Sequence, residues 1–193
     1  MLVKNRTMSI VFVGVFAALA FVAMLIDFPL PFFPPYLKFD ISDVFIFMAG
    51  ILTGPWGLIA AAIIKNLLHF IFKGAAFGIP IDQIASLLSS FAFVLPAYFI
   101  TYGWKRKAGM PAPGLKKLAI GLAVGTVSLA IVMTVANYFF ITPFYFALGN
   151  MPLPDNYLVL ILMYLPFNLI KGVLLSVILL VLYPHFTRLF AKY

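Results

Sequence analysis

Cysteine is missing from the sequence, and its absence excludes several kinds of site. Disulfide bridges, thiol catalysis and thiolate metal ligands all depend on cysteine, and the 193 residues contain none. The two histidines, His69 and His185, are far apart, and no carboxylate stands at the spacing of a metal-ligand cluster. We therefore expect neither a metal ion nor a cofactor.

Charged residues are also scarce, at 9% of the chain against 65% hydrophobic residues. Soluble domains carry about 25% charged and about 45–50% apolar residues, so a chain of this composition finds its natural solvent in a lipid bilayer. The apolar run from residue 8 to residue 26 follows Lys4 and Arg6, as in a signal peptide, but it lacks a small-residue cleavage site and reads as a first membrane span. The composition thus predicts an all-α, polytopic membrane protein.

The ATP-binding motif G-x-x-x-x-G-K-[ST] is missing as well, and no pair of nucleophile and base stands out in the sequence. The chain is therefore expected neither to hydrolyse ATP by this route nor to be an enzyme. If it transports a solute actively, the energy must come from a partner or from a gradient.

Six transmembrane helices are predicted from the apolar runs and their breaks, in a single membrane domain that covers residues 1–193. The second and third are separated only around Gly54 and Pro55, which break a helical hydrogen-bond ladder and favour a tight hairpin over one very long helix. The predicted helices cover residues 7–27, 42–53, 55–72, 81–104, 115–142 and 156–190.

The charged residues are distributed unevenly between the two sides that this topology defines. Most Lys and Arg lie at the termini and in the loop at 105–117, and an excess of these residues marks cytoplasmic segments. Both termini are therefore predicted to be cytoplasmic, and the net charge of +8 is not interpreted as a nucleic-acid-binding surface. All five acidic residues then fall on the outer side, at Asp27, Asp40, Asp43, Asp82 and Asp155.

The first outer loop, residues 28–41, is rich in proline and aromatic residues. Its first part, residues 28–37, reads FPLPFFPPYL, and prolines hold such a segment extended and semi-rigid. The helix that follows, 42–53, rises only about 18 Å, against a hydrocarbon core of about 30 Å. The loop must therefore dip into the membrane or cover a cavity, and it reads equally well as a lid or as an interfacial aromatic anchor.

Two lysines, Lys65 and Lys171, lie deep inside predicted spans, where a charge is costly and usually faces a cavity or a partner. Asn168 shares a helix face with Lys171 and with Tyr164, and Asn66 and Asn137 stand on the third and fifth helices. Each asparagine alone is explained by an interhelical hydrogen bond. Together these residues predict a site for a flat, polar-edged heterocycle that is neutral or mildly anionic.

No Asp or Glu lies in the middle of a predicted span, so membrane carboxylates are expected to be absent. A site for a bare cation and a proton relay are both disfavoured for this reason.

Small residues four positions apart let helices approach closely in membranes. The first helix has Gly14 and Ala18 at this spacing, with Ala17 beside them, and the fifth has Gly121 and Gly125. Packing within the chain is the default interpretation of both pairs, and contact with a partner subunit is the alternative.

Four segments of the chain together carry a family resemblance. They are Phe33-Pro34-Pro35-Tyr36-Leu37 with Asp40-x-Ser42-Asp43-Val44, Lys65-Asn66-Leu67-Leu68, Asn137-Tyr138-Phe139, and Pro166-Phe167-Asn168-x-Ile170-Lys171-Gly172. In this order, over about residues 8–190 and with six predicted spans, they resemble the substrate-binding S component of energy-coupling factor (ECF) vitamin transporters, specifically its riboflavin-binding members.

The resemblance implies a six-helix bundle in a prokaryotic cell membrane that binds riboflavin, or a related flavin such as FMN, from outside, with the first outer loop as a gate. Asn137, Asn168 and Lys171 match positions that hydrogen-bond the flavin ring in the family. The other substrate-binding candidates are Lys65, Asn66, Tyr164, Asp40 and Tyr36.

The same resemblance implies partners. In the family, a small-residue motif on the first helix meets a transmembrane coupling subunit, which works with two cytoplasmic ABC-type ATPases. Gly14, Ala18 and Ala17 are the matching interface candidates here. Such a module would supply the ATP hydrolysis for which this chain has no motif.

Two alternatives stay open from the residues alone. A stand-alone secondary transporter or channel for another small heterocyclic solute needs a gradient-coupling group or a continuous pore, and neither is evident. An intramembrane enzyme or assembly factor would use Lys65 or Lys171 as a reactive amine, and it is the weakest alternative because the chain offers neither a mid-span acid nor an evident Ser/His partner.

Overall fold

The computed structural model describes residues 5–33, 37–75, 78–104, 112–153 and 155–189. Within these ranges almost every regular element is helical, as predicted. The helices are α1 (Arg6–Leu25), α2 (Ser42–Lys73), α3 (Ile81–Tyr102), α4 (Leu115–Ala136), α5 (Thr142–Leu148) and α6 (Tyr157–Leu189). A π-helical turn, Asn137–Ile141, joins α4 to α5, and two antiparallel strands, β1 (Phe28–Pro29) and β2 (Lys38–Phe39), pair in the loop between α1 and α2.

Helix α2 changes direction at Gly54, where the sequence predicts a break. Gly54 has a φ of +82°, a conformation that glycine adopts at little cost. The Nζ atom of Lys65 lies 3.0 Å from the Oγ atom of Ser42. In a straight helix these two residues would be about 34 Å apart at about 1.5 Å per residue. The two arms of α2, residues 42–53 and 55–73, therefore run back alongside each other.

Five helical stretches in the described part of the chain are long and apolar enough to cross a membrane, whereas the sequence predicts six. The difference lies in α2, because Ser42–Lys73 is one stretch of 32 residues although it bends at Gly54. The predicted helix at 115–142 is also longer in the structure, since the π-helical turn and α5 extend this stretch to Leu148. These stretches make the chain a multi-pass, mostly helical membrane protein.

Two glycines on α4 allow this helix to pack closely against α3. A Cβ atom on Gly121 would lie 2.6 Å from the carbonyl oxygen of Ala97, and one on Gly125 would lie 2.5 Å from that of Phe93. Both glycines therefore serve packing within the bundle, the default interpretation of this pair.

Ion pairs of Asp27, which follows α1, connect β2 to the end of α2. Its carboxylate lies 3.0 Å from the Nζ atom of Lys38 in β2 and 3.6 Å from that of Lys73 at the end of α2. The rings of Phe28 and Phe39 meet edge to face across the two strands, with centroids 5.5 Å apart. Loop 1, as we call residues 28–41, is thus tied at its base to the end of α2.

Candidate substrate-binding site

One face of α6 carries three of the predicted binding residues. Tyr164, Asn168 and Lys171 follow at helical spacing and are all buried, with 6%, 4% and 7% of their surface exposed. Asn168 donates its amide N–H to the carbonyl oxygen of Tyr164 at 2.8 Å, which fixes the orientation of the side chain. Pro166 lies in the same turn and has no N–H of its own to donate. The N-terminal half of α6 therefore presents an ordered polar face to the interior.

Asn137 joins this face through a threonine that the sequence analysis does not single out. The hydroxyl of Thr142 lies 3.4 Å from Oδ1 of Asn137 and 3.2 Å from the hydroxyl of Tyr164. Asn137 donates its own amide N–H to the carbonyl oxygen of Met133 at 2.7 Å. Asn137, Tyr164 and Asn168 thus belong to one hydrogen-bonded group.

The π-helical turn explains why Asn137 and Thr142 meet. Such turns insert an extra residue into a helix and are frequent at functional sites. Here the turn occupies Asn137–Ile141. Its first residue, Asn137, and the residue after it, Thr142, are five positions apart, and both are buried, with 5% and 4% of their surface exposed. In the sequence, the only signal for Thr142 is its place at the end of the predicted helix 115–142, directly before Pro143.

Lys171 forms an ion pair with Asp40, which loop 1 carries into the bundle. The Nζ atom lies 3.4 Å from Oδ2 of Asp40, and the other oxygen of Asp40 accepts hydrogen bonds from the backbone N–H of Ser42, at 2.9 Å, and from the Ser42 hydroxyl. Burial alone raises the pKa of the Asp40 carboxyl. The charges of Lys171 and Lys65 and the hydrogen bonds from Ser42 outweigh burial, so the pKa of Asp40 lies below its ordinary value.

Lys65 is also paired with a carboxylate, a partner that its place in the sequence does not indicate. Its Nζ atom lies 3.5 Å from Oδ1 of Asp43, 3.0 Å from Oγ of Ser42 and 2.9 Å from Oγ of Ser90. Ser90 in turn donates to Asp43 at 2.5 Å. Asp43 is 1% exposed, so this ion pair lies in the interior of the bundle.

A hairpin centred on Gly54 contains the signal for this ion pair. Asp43 and Lys65 each lie eleven residues from Gly54, and residues equally distant from a tight turn face each other in antiparallel arms. Ser42 and Ser90 carry no comparable sequence signal. Asn66, the neighbour of Lys65, is buried and donates to Ala62 of its own helix at 2.9 Å, and within the described residues no hydrogen bond links it to the other candidates.

The described parts of loop 1 pack over the N-terminal half of α6. Leu37 forms a buried apolar cluster with Ile161, Tyr164 and Phe167, and the ring of Phe33 meets that of Phe167 edge to face at 5.4 Å. The predicted binding residue Tyr36 lies outside the described residues, together with the two prolines before it. The parts of the loop that the structure does describe cover the face that carries Tyr164 and Asn168.

The residues of the predicted partner surface on α1 differ in their exposure. Gly14 and Ala18 are exposed, and a Cβ atom on Gly14 would meet nothing within 4 Å. Ala17 is fully buried and belongs to the core, so its assignment to a partner interface is corrected. The exposed pair leaves a shallow, small-residue strip on the outside of the bundle, flanked by Val15 and Leu19.

Comparison with known proteins places the chain in a family. Residues 8–183 match the family described as "ECF transporter, substrate-specific component". The chain is 36% identical to the riboflavin transporter FmnP of Bacillus subtilis, over 90% of this chain and 88% of that protein. It is also 36% identical to the riboflavin transporter RibU of Staphylococcus aureus, over 93% of this chain and 90% of that protein.

A solved structure described as the S component of a bacterial ECF transporter has the same fold. It is 33% identical in sequence, superposes with a TM-score of 0.77, and the match covers 96% of this chain and 98% of that one. Sequence and fold agree over nearly the whole length, and the chain belongs to the family of substrate-specific components of ECF transporters.

Proposed function

We propose that this chain binds riboflavin from outside the cell and passes it inward together with a separate, ATP-driven coupling module. The observation that carries the proposal is the 36% identity to two riboflavin transporters, each match covering at least 90% of this chain. Membership in a family of transporter components agrees with the expectation that the chain is not an enzyme.

The chemistry of the buried group suits this ligand. Riboflavin has a flat ring system with carbonyl and imide edges, which amide side chains such as those of Asn137 and Asn168 can pair with. The ammonium of Lys171 can donate to a ring carbonyl, and such a charge-assisted hydrogen bond is stronger than a neutral one. Because Asp40 balances the charge of Lys171, the group favours a neutral ring over a strongly anionic one.

Loop 1 acts as the lid of this site in our proposal. Its Phe33 and Leu37 pack on Phe167 and Ile161, so the site opens to the outside only if these contacts part. The acidic residue that follows them, Asp40, contacts Lys171 directly. The alternative of a purely interfacial anchor does not require a contact between the loop and a binding residue.

The remaining features of the proposal concern the membrane. The two arms of α2 cross it separately, which gives six crossings and places both termini in the cytoplasm of a prokaryotic cell. The partners are a transmembrane coupling subunit and two ABC-type ATPases. Gly14 and Ala18 form the strip on α1 that the coupling subunit contacts, because small exposed residues permit the closest helix approach.

The absorption spectrum and the riboflavin fluorescence of the purified protein test the proposal. We expect a bound flavin after purification, or strong quenching when riboflavin is added to the flavin-free protein. A protein that neither retains nor quenches riboflavin would contradict the proposal. Riboflavin uptake by proteoliposomes that contain this chain alone would favour a stand-alone carrier instead.

A further inference from the structure

The buried charges form one connected series of contacts, and Lys171 stands at its end. Lys171 contacts Asp40 at 3.4 Å, and Asp40 accepts hydrogen bonds from Ser42. Ser42 is in turn 3.0 Å from the Nζ atom of Lys65, which pairs with Asp43 at 3.5 Å. The series therefore connects α6, loop 1 and both arms of α2.

Lys65 has protein partners for all of its donors. An ammonium group has three N–H bonds, and the Nζ atom of Lys65 has three partners, namely Ser42, Ser90 and Asp43. At 1% exposure, the side chain has no solvent to exchange these partners for. A direct contact between Lys65 and a substrate would require one of these contacts to break.

Lys171 differs from Lys65 in this respect. Among the described residues, Asp40 is the one polar partner of its Nζ atom, so two of its three N–H bonds can turn to a ligand. The direction of those bonds depends on the position of the Asp40 carboxylate. That carboxylate is fixed at its other oxygen by both the N–H and the hydroxyl of Ser42.

We propose that Lys65 and Asp43 are positioning residues that act on the substrate through Ser42, Asp40 and Lys171. They hold Ser42 in place, Ser42 holds the Asp40 carboxylate, and Asp40 sets the direction of the Lys171 ammonium. This inference rests on the proposed function, and it replaces the prediction that Lys65 itself contacts the substrate. Loop 1 takes part because Asp40, one of its residues, contacts Lys171 directly.

A pair of variants separates positioning from a purely structural role. Lys65→Met leaves the buried carboxylate of Asp43 without its charge partner and is expected to lower the thermal stability strongly. Lys65→Met combined with Asp43→Asn removes both charges, and such replacements of a buried pair often restore stability. We expect the double variant to recover most of the melting temperature and yet to bind riboflavin about tenfold more weakly, the loss of roughly one charged hydrogen bond.

A smaller change tests the same link without removing a charge. Ser42→Ala keeps the ion pair and is expected to weaken riboflavin binding about tenfold in the wild type. In an Asp40→Asn background the same change should have almost no further effect, because the carboxylate that Ser42 holds is already gone. Ser176→Ala is the control, since it removes a half-buried hydroxyl from α6 whose hydrogen-bond partners within the described residues are Gly172 and Thr126, and it should leave the affinity unchanged.

The outcomes distinguish the two proposals. Wild-type affinity in the Lys65→Met/Asp43→Asn double variant, or in Ser42→Ala, would overturn the positioning role while riboflavin binding stands. Equal losses from Ser42→Ala with and without Asp40→Asn would overturn it as well. Failure of the wild-type protein to bind riboflavin would overturn the proposed function, and the positioning role with it.

Discussion

Thr142 offers the cleanest test of the hydrogen-bonded group, because valine has nearly the same shape. Thr142→Val removes the hydroxyl that lies between Oδ1 of Asn137 and the hydroxyl of Tyr164, at 3.4 and 3.2 Å. A neutral hydrogen bond contributes about 0.5–1.5 kcal/mol, and long bonds such as these belong to the lower half of that range. Two of them amount to about 1–2 kcal/mol, which equals a fivefold to thirtyfold change in an equilibrium constant at about 1.4 kcal/mol per factor of ten.

We expect most of this loss in riboflavin affinity rather than in stability. The amide N–H of Asn137 keeps its bond to Met133, so the side chain stays anchored, but its carbonyl end loses the contact that sets its direction. Fluorescence quenching by the purified variant measures the affinity, and a thermal melt without riboflavin measures the stability.

Thr126→Val is the matched control for this experiment. Thr126 is similarly buried and lies on the same helical stretch. Its hydroxyl oxygen is 3.3 Å from that of Ser176, away from the predicted binding residues. It should lower stability by a similar small amount and leave the affinity intact. Equal affinity losses in the two variants, or none in Thr142→Val, would refute the role that we assign to Thr142.

Three further predictions address the turn, the partner strip and the loop. Gly54→Ala forces a side chain into a positive-φ, extended conformation that only glycine normally adopts, at a cost of about 1–3 kcal/mol, so the melting temperature should fall, and an unchanged melt would contradict the hairpin geometry. Ala18→Leu should leave riboflavin affinity unchanged but reduce uptake with the coupling module, and normal uptake would exclude this strip as the contact. Because the folded-state pKa of Asp40 lies below its ordinary value of 3.8, its contribution to stability is complete above that pH and is lost as the pH falls below it. The difference in melting temperature between wild type and Asp40→Asn should therefore shrink below about pH 4, and a constant difference would contradict the ion pair.

Much of the fold follows from the sequence because a bilayer imposes strong rules. Apolar runs and the break at Gly54 predict the helices within a few residues, and the resemblance to ECF S components is confirmed by the family match. The grouping of Asn137, Tyr164 and Asn168 also follows from depth and helical spacing.

The partners of the lysines are harder to predict, because sequence position alone places Asp40 and Asp43 at the membrane surface. The distribution of Lys and Arg predicts on which side of the membrane a helix starts. It does not predict whether an acidic residue at that start is buried in the bundle. Ser90 contacts Lys65 across 25 positions of sequence, and only the packing of α3 against α2 brings them together. Ala17 shows the same limit, since small-residue spacing does not tell which side of α1 faces inward.

The length of the short first arm of α2 determines where its polar residues lie inside the bundle. At about 1.5 Å per residue, it sets how far Ser42 and Asp43 stand from the bend, and the second arm sets the matching height of Lys65. One residue added to either arm would rotate its polar side chains by about 100° and move them about 1.5 Å along the axis, which separates the charges. The length of this arm therefore matters to the proposed binding site as much as its side chains do, and insertions between residues 42 and 65 should be tolerated far less than insertions in the loops.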